Sequence, residues 1–329
     1  MAIRTLTEYL DNLYSSTWQN MKSEATDNIF TATPFWYLMR EQGHLKQVEG
    51  GRFITEPLEY AKNEDVGWIS KGGTVSLNDY ERLTISKWDW RYLVAPIVRF
   101  GVDDQQNRGK NQIMSLVKSK MNNTQEYLVD TLETTLFGGS GVGASAGGDA
   151  FDGLQLLVKD DPTTDTEVGG INQSTYSWWA NQTKNMTGIS FATYGLHWMR
   201  NMYNNVMNNK MRDAPTLIVS GQTPYERYED EGESYFRTMD NKLLDLGFQS
   251  QRFKNVNWVW SPACANTRMY FLNLRYLYFA YDPMMFFDAT EWKPIPDQVN
   301  DRAMQIITAC SLITNRRKSQ GVLYNLDTA

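Results

Sequence analysis

Between Asp103-Asp104 and Gly138-Gly139 lie more than thirty residues without a proline and with a single internal glycine, Gly109. Within that stretch Ile113, Val117, Met121, Thr124, Leu128, Leu132 and Leu136 recur at steps of three and four, which lays one apolar stripe along a helix. The aspartates are suitable capping residues ahead of it, and the glycines stop it. A helix over about 103–137 would be roughly 50 Å long at about 1.5 Å per residue, well beyond the usual globular length. It reads as a spine.

The elements around it are shorter. Residues 1–45 combine a possible amphipathic helix (Leu6, Tyr9, Leu10, Leu13) with Pro34 and the cluster Phe35-Trp36-Tyr37. These aromatics are too few to make a core alone, so the segment reads as an arm that needs a host surface. Phe53–Tyr60 and Glu81–Val98 read as two strands of a long ribbon with a turn-rich tip at Ser70-Lys71-Gly72-Gly73. Leu83 and Ile85 fall on one face of the second strand, and Trp88, Trp90 and Tyr92 on the other, so a bulge or twist is expected near Ser86 and Lys87. A two-stranded ribbon is marginal by itself in water and should lie against another element or another subunit.

After the spine come a glycine-rich loop at 138–148 and a second amphipathic helix capped by Ser190, with Phe191, Gly195, Trp198, Met199, Met202, Tyr203 and Val206 on one side. A buried strand at Thr216–Val219 and a helix over Phe236–Leu246 follow. Strands are predicted at Val256–Trp260, Met269–Leu274 and Leu277–Tyr281, then a last apolar run Ala303–Ile313 and a basic tail, Asn315–Lys318. This mixture is α+β.

Charge and motifs exclude several functions. Lys plus Arg is 32 and Asp plus Glu is 38, a net charge of -6 that argues against tight binding to nucleic-acid phosphates. Cys264 and Cys310 are too few for a disulfide framework and too isolated for a metal knuckle, so they read as buried small hydrophobes. The start of the chain lacks an apolar signal region, and the most apolar stretch, Leu274–Phe287, is broken by Arg275, Asp282 and Pro283, so neither secretion nor a membrane span is expected. His44 and His197 are the only histidines and lie far apart, and no zinc-protease or nucleophile-elbow signature occurs. The loop at 138–148 ends a helix where a phosphate cradle would open one, and no Lys-Ser/Thr follows. The acidic run Glu226, Glu229, Asp230, Glu231 and Glu233 lacks the turn spacing of a calcium loop and reads as a solvated face. No catalytic, cofactor or metal residue is assigned.

The order of arm, ribbon, spine helix and mixed helices and strands resembles the major capsid proteins of tailed bacteriophages, the Hong Kong 97-like capsid fold. Phe151-Asp-Gly-Leu154, Asp160-Asp-Pro-Thr163, Val168-Gly-Gly-Ile171, Trp178-Trp-Ala-Asn-Gln182, Ala214-Pro-Thr-Leu-Ile-Val-Ser220 and Tyr225-Glu-Arg-Tyr228 are similar to phrases in one subgroup of them.

That resemblance implies an N-terminal arm at 1–45, an extended E-loop at 46–100, a P domain at 101–218 and 303–329, and an A domain at 219–302. It implies a shell of hexamers and pentamers, assembled in the host bacterial cytoplasm, that encloses double-stranded DNA in the virion without specific binding. Portal and decoration proteins are implied partners, and a separate scaffolding protein is expected because the chain begins almost directly with the arm. Trp68, Lys71, Gly72, Gly73, Trp88, Trp90 and Tyr92 are the expected inter-subunit contacts. Some such shells form Lys-to-Asn links, for which Lys71 would be the starting point. An encapsulin-like compartment shell is the alternative reading, and an enzyme with an unrecognised acidic site a weaker one.

Overall fold

The structure, a computed structural model, describes residues 34–63, 65–74, 80–100, 124, 126–138, 149–207, 213–232, 251–296, 298 and 301–326. It is α+β. The first helix, Pro34–Glu41 (α1), begins on a proline, whose missing N–H matters least at a first helical position. It ends in a Schellman cap at left-handed Gly43. The Gly43 N–H reaches the Arg40 carbonyl at 3.0 Å and the His44 N–H the Met39 carbonyl at 2.9 Å. Phe35, Trp36, Leu38 and Met39 are buried in the main core, Trp36 edge-on to Phe279. The host surface expected elsewhere for this aromatic cluster is therefore the chain's own. The helix expected near Leu6–Leu13 lies outside the described residues.

After β1 (Leu45–Gln47) the chain bends through Gly50 and Gly51, both at positive φ, into β2 (Phe53–Glu59). β2 pairs antiparallel with β3 (Leu83–Asp89), from Phe53 opposite Asp89 to Glu59 opposite Leu83. Pro57 is tolerated because a strand of a two-stranded ribbon has a free edge. Alternation runs unbroken through Ser86 and Lys87, where a bulge or twist was expected: Ser86 and Trp88 are buried, Ile85, Lys87 and Asp89 exposed. The phase changes instead at Trp90. Beyond it, in β4 (Arg91–Arg99), the odd-numbered Ala95, Ile97 and Arg99 turn inward. The shift falls there because the strand changes partner, leaving β2 for the body.

Of the spine helix, residues 126–136 (α2) are described, and Leu128, Leu132 and Leu136 are buried as the stripe requires. Residues 103–123 and the loop at 139–148 lie outside the described residues. The chain returns at Phe151 into a single helical turn, Leu154–Leu157 (α3). Gly153 permits a close approach, since a Cβ there would stand 2.4 Å from the Thr135 carbonyl oxygen. A tight hairpin of β5 (Glu167–Val168) and β6 (Ile171–Asn172) turns on Gly169 and Gly170, both at positive φ as a type I′ turn demands.

Next come β7 (Gln182–Asn185), α4 (Phe191–Met207), β8 (Leu217–Ser220) and α5 (Gln222–Gly232). The helix expected over Phe236–Leu246 is not among the described residues. The chain continues with β9 (Gln251–Phe253), β10 (Val256–Trp260), β11 (Arg268–Leu272), β12 (Leu277–Tyr281), β13 (Asp288–Ala289), β14 (Lys293–Pro294), β15 (Arg302–Thr314) and β16 (Gly321–Tyr324).

Two six-stranded sheets result. In one, the long β15 takes β4 along one edge and β12, β13 and β14 in succession along the other, with β1 outside β12. The second has the order β7-β16-β11-β8-β10-β9. Both its faces are covered, so β8 is buried at every residue. Leu217 and Val219 meet the main core, whereas Ile218 meets the cluster under α4, with Met199, Met202 and Val206. β12 lies in the sheet of β15, whereas β7 and β16 lie in the sheet of β8.

Candidate assembly surface

The β2–β3 ribbon is fastened to the body by one face. Ile54, Leu58 and Trp88 enter the main core, and Glu56 forms an ion pair with Lys46 of β1. The Lys87 N–H donates to the Gly169 carbonyl at 2.9 Å, and Tyr60 stacks on Trp178 with centroids 5.6 Å apart. Gly169 is glycine for two reasons. Its φ is +63°, and a Cβ would sit 2.8 Å from Cζ2 of Trp88.

The opposite face of the ribbon is exposed and mixed, with Thr55, Glu59, Lys87 and Asp89 set among apolar residues. Phe53 and Pro57 of β2 are exposed there, with Leu83 75% and Ile85 55% exposed on β3. At the tip Val66, Trp68 and Ile69 are also exposed, Trp68 fully. Ser70–Gly73 form a turn closed by the Gly73 N–H on the Ser70 carbonyl at 2.9 Å. Gly72 takes the positive φ (+86°) of the third position and leaves Lys71 in solvent.

Among the expected contact residues, Trp68, Lys71, Gly72 and Gly73 are together at this tip. Tyr92, 60% exposed, stands beside exposed Val94 on β4 at the ribbon's root, and half-buried Trp90 packs against the main core. Trp88 offers a neighbour no surface. It is buried in its own subunit, with its Nε1–H donating to the Ser86 hydroxyl at 3.2 Å. The outer residues Phe53, Pro57, Leu83 and Ile85 were missed, although apolar residues at both parities of a strand are the signal of a two-sided ribbon.

The ribbon's seat is braced from behind by a residue that reads as part of a basic tail. Arg317 is fully buried. Its Nε–H donates to the Leu157 carbonyl at 2.8 Å and Nη1 to the Trp179 carbonyl at 3.2 Å. Nη2 reaches Gln173 Oε1 and Asn181 Oδ1, each at 3.1 Å, and the Leu156 carbonyl at 3.4 Å. These acceptors are all neutral, so burial pulls its pKa down to about 9. Trp179 in turn donates to the Val168 carbonyl at 2.9 Å, which links this knot to the hairpin under Trp88. Arg316 pairs with buried Asp213 at 2.7 Å.

A cleft of about 50 Å³ between β4 and α2, lined by Tyr92, Leu93, Leu132, Phe151 and Cys310, is far below the usual ligand pocket of roughly 300 Å³ or more. Cys264 and Cys310 are free and buried, and burial pushes both thiols up to about 12. His197 lies edge-on to its neighbour Trp198. Among the described residues no group of three or more His, Cys, Asp or Glu could hold a metal ion, and no helix is long and apolar enough to cross a membrane.

No protein-family model and no curated protein matches the sequence. In three dimensions the chain is similar to shell proteins. A subunit of the cyanophage A-1(L) capsid superposes with a TM-score of 0.59 at 15% identity, covering 86% of this chain and 90% of that one. The SrpI encapsulin of Synechococcus elongatus PCC 7942 gives 0.54 at 11%, covering 87% and 86%. The capsid of Myoviridae phage XM1 gives 0.53 at 9%, covering 88% and 92%. The fold is the Hong Kong 97-like capsid fold.

Proposed function

We propose that this chain is the major capsid protein of a tailed phage, a structural subunit rather than an enzyme, which builds an icosahedral shell around double-stranded DNA. One observation carries the reading. A fold matched over nearly the whole of several shell proteins projects a ribbon whose outer face and tip expose Phe53, Pro57, Leu83, Ile85 and Trp68 to solvent. A neighbouring copy is the natural cover for such a surface. If the ribbon meets a different patch of the neighbour, the contact is head-to-tail, and contacts of that kind close into rings such as pentamers and hexamers. Trp68, Lys71, Gly72 and Gly73 at the tip, with Tyr92 at the root, are the contact residues we assign. Trp90 contributes at the edge.

On this reading the N-terminal arm is residues 1–45, the E-loop 46–100, the P domain 101–218 with 303–329, and the A domain 219–302. Assembly in a bacterial host's cytoplasm and partnership with scaffolding, portal and decoration proteins follow from the phage reading. The net charge of -6 suits DNA held by confinement rather than by specific contacts.

The likeness to an encapsulin supports a second reading, a compartment shell that encloses protein cargo. Electron microscopy of the purified protein, alone and with a candidate scaffolding protein, tests both. Closed icosahedral particles support a shell, and a large diameter with packaged DNA separates phage head from compartment. A strictly monomeric protein under both conditions refutes the shell.

A further inference from the structure

Glu133 on α2 is a carboxyl side chain buried in the protein's interior where three separate segments converge. The Ser261 hydroxyl, just beyond β10, donates to its Oε1 at 2.9 Å. The backbone N–H of Trp36, in the first turn of α1, also hydrogen-bonds to this carboxylate. That N–H is one of the donors a helix start leaves without an internal acceptor, so Glu133 caps α1 from another helix. We propose that Glu133 is a proton-linked latch: its neutral carboxyl seats α1 against α2 and the Ser261 turn, and loss of the proton loosens that seat.

The surroundings set the sign. Burial raises the Glu133 pKa to about 7, from an ordinary 4.5, and outweighs the Ser261 and Trp36 hydrogen bonds, which act in the opposite direction. Asp130, exposed one turn earlier on α2, adds a little further in the raising direction. On the Ser261 side the facing titratable group is the Cys264 thiol, itself pushed up to about 12 and so neutral. The cation beyond it, Arg268, is engaged by Asp160. Arg40 and Glu41 lie in the last turn of α1, at its far end. Among the described residues, none of these groups is a cation set against Glu133 to hold it charged. With α1 undocked, water reaches the carboxyl and its pKa returns toward the ordinary value. The docked state then binds the extra proton between about pH 4.5 and 7. Docking is strongest below that window, weakens as pH rises through it, and levels off above.

The test is amide hydrogen exchange of residues 36–41 in the purified full-length protein between pH 5 and 7.5, corrected for intrinsic exchange rates. In the wild type their protection should fall tenfold or more across the window, about tenfold for each pH unit crossed. Glu133→Gln keeps the shape and the acceptor oxygen but cannot titrate, and should flatten the dependence. Ser261→Ala, which removes a bond to the charged form, should move the midpoint upward, and Asp130→Asn should barely shift it. The proposal is overturned by a flat wild type, by a Glu133→Gln profile with the wild-type slope, or by a fall shared equally by all core amides.

Discussion

If the outer face of the ribbon is an interface, replacing Leu83 and Ile85 by threonine should stop assembly and leave the subunit intact. Threonine is β-branched, as Ile85 is, and has high strand propensity, and neither native side chain contributes to the subunit's own core, being 75% and 55% exposed. Fully burying a leucine or isoleucine is worth about 1.5–3 kcal/mol. A neighbour covering the exposed parts of both would therefore gain roughly 2–4 kcal/mol. Threonine retains a methyl group, so the loss is about 2 kcal/mol per contact, or roughly 30-fold in its equilibrium constant. Repeated around a ring, that penalty should raise the concentration at which particles form by orders of magnitude. Sedimentation velocity across a concentration series reads assembly, and thermal melting of the unassembled protein reads the subunit, which should change by about 0.5 kcal/mol or less, as for ordinary surface sites. Particles forming at the wild-type concentration would refute the reasoning, and so would loss of assembly accompanied by an equal loss of subunit stability.

Gly169→Ala should cost about 1–3 kcal/mol in urea titrations, because it combines left-handed strain with a contact on Trp88, and the Trp88 fluorescence should shift. Arg317→Met removes the donor from five buried oxygens, of which Asn181 Oδ1 keeps the Lys159 N–H, and should destabilise by about 3–5 kcal/mol, whereas Arg317→Lys should recover only part, since an ammonium cannot reproduce the planar fork. A loss below about 1 kcal/mol for the methionine variant would refute the bracing role. Cys264 and Cys310 should resist a thiol reagent at pH 8 in the native protein and react at once in denaturant, and a fast native reaction would show that the core opens around them.

Much of this architecture can be read from the chain directly. Val256–Trp260 and Leu277–Tyr281 are legible residue for residue, because short apolar and aromatic runs bounded by turn signals have few other solutions. The ribbon tip is legible too, since Ser70-Lys71-Gly72-Gly73 carries its own turn chemistry. What fails depends on distant partners. Arg317 looks like part of a solvated tail by composition, yet its acceptors include a carbonyl 160 residues earlier in the chain. The phase change expected at Ser86 belongs to Trp90, because it is set by where β4 meets β15 rather than by local pattern. Whether Leu83 or Trp88 faces outward cannot be read from alternation alone, which groups residues by face without saying which face the body covers.

The phase change at Trp90 also makes the ribbon modular. Adding two residues to each of β2 and β3 lengthens its reach by about 7 Å and leaves Trp88 on the body and the outer residues outside. Adding one to each inverts only the part of the ribbon beyond the insertion. Related shells of different curvature could thus be reached by paired insertions between residues 60 and 81, with the body's register along β15 left untouched.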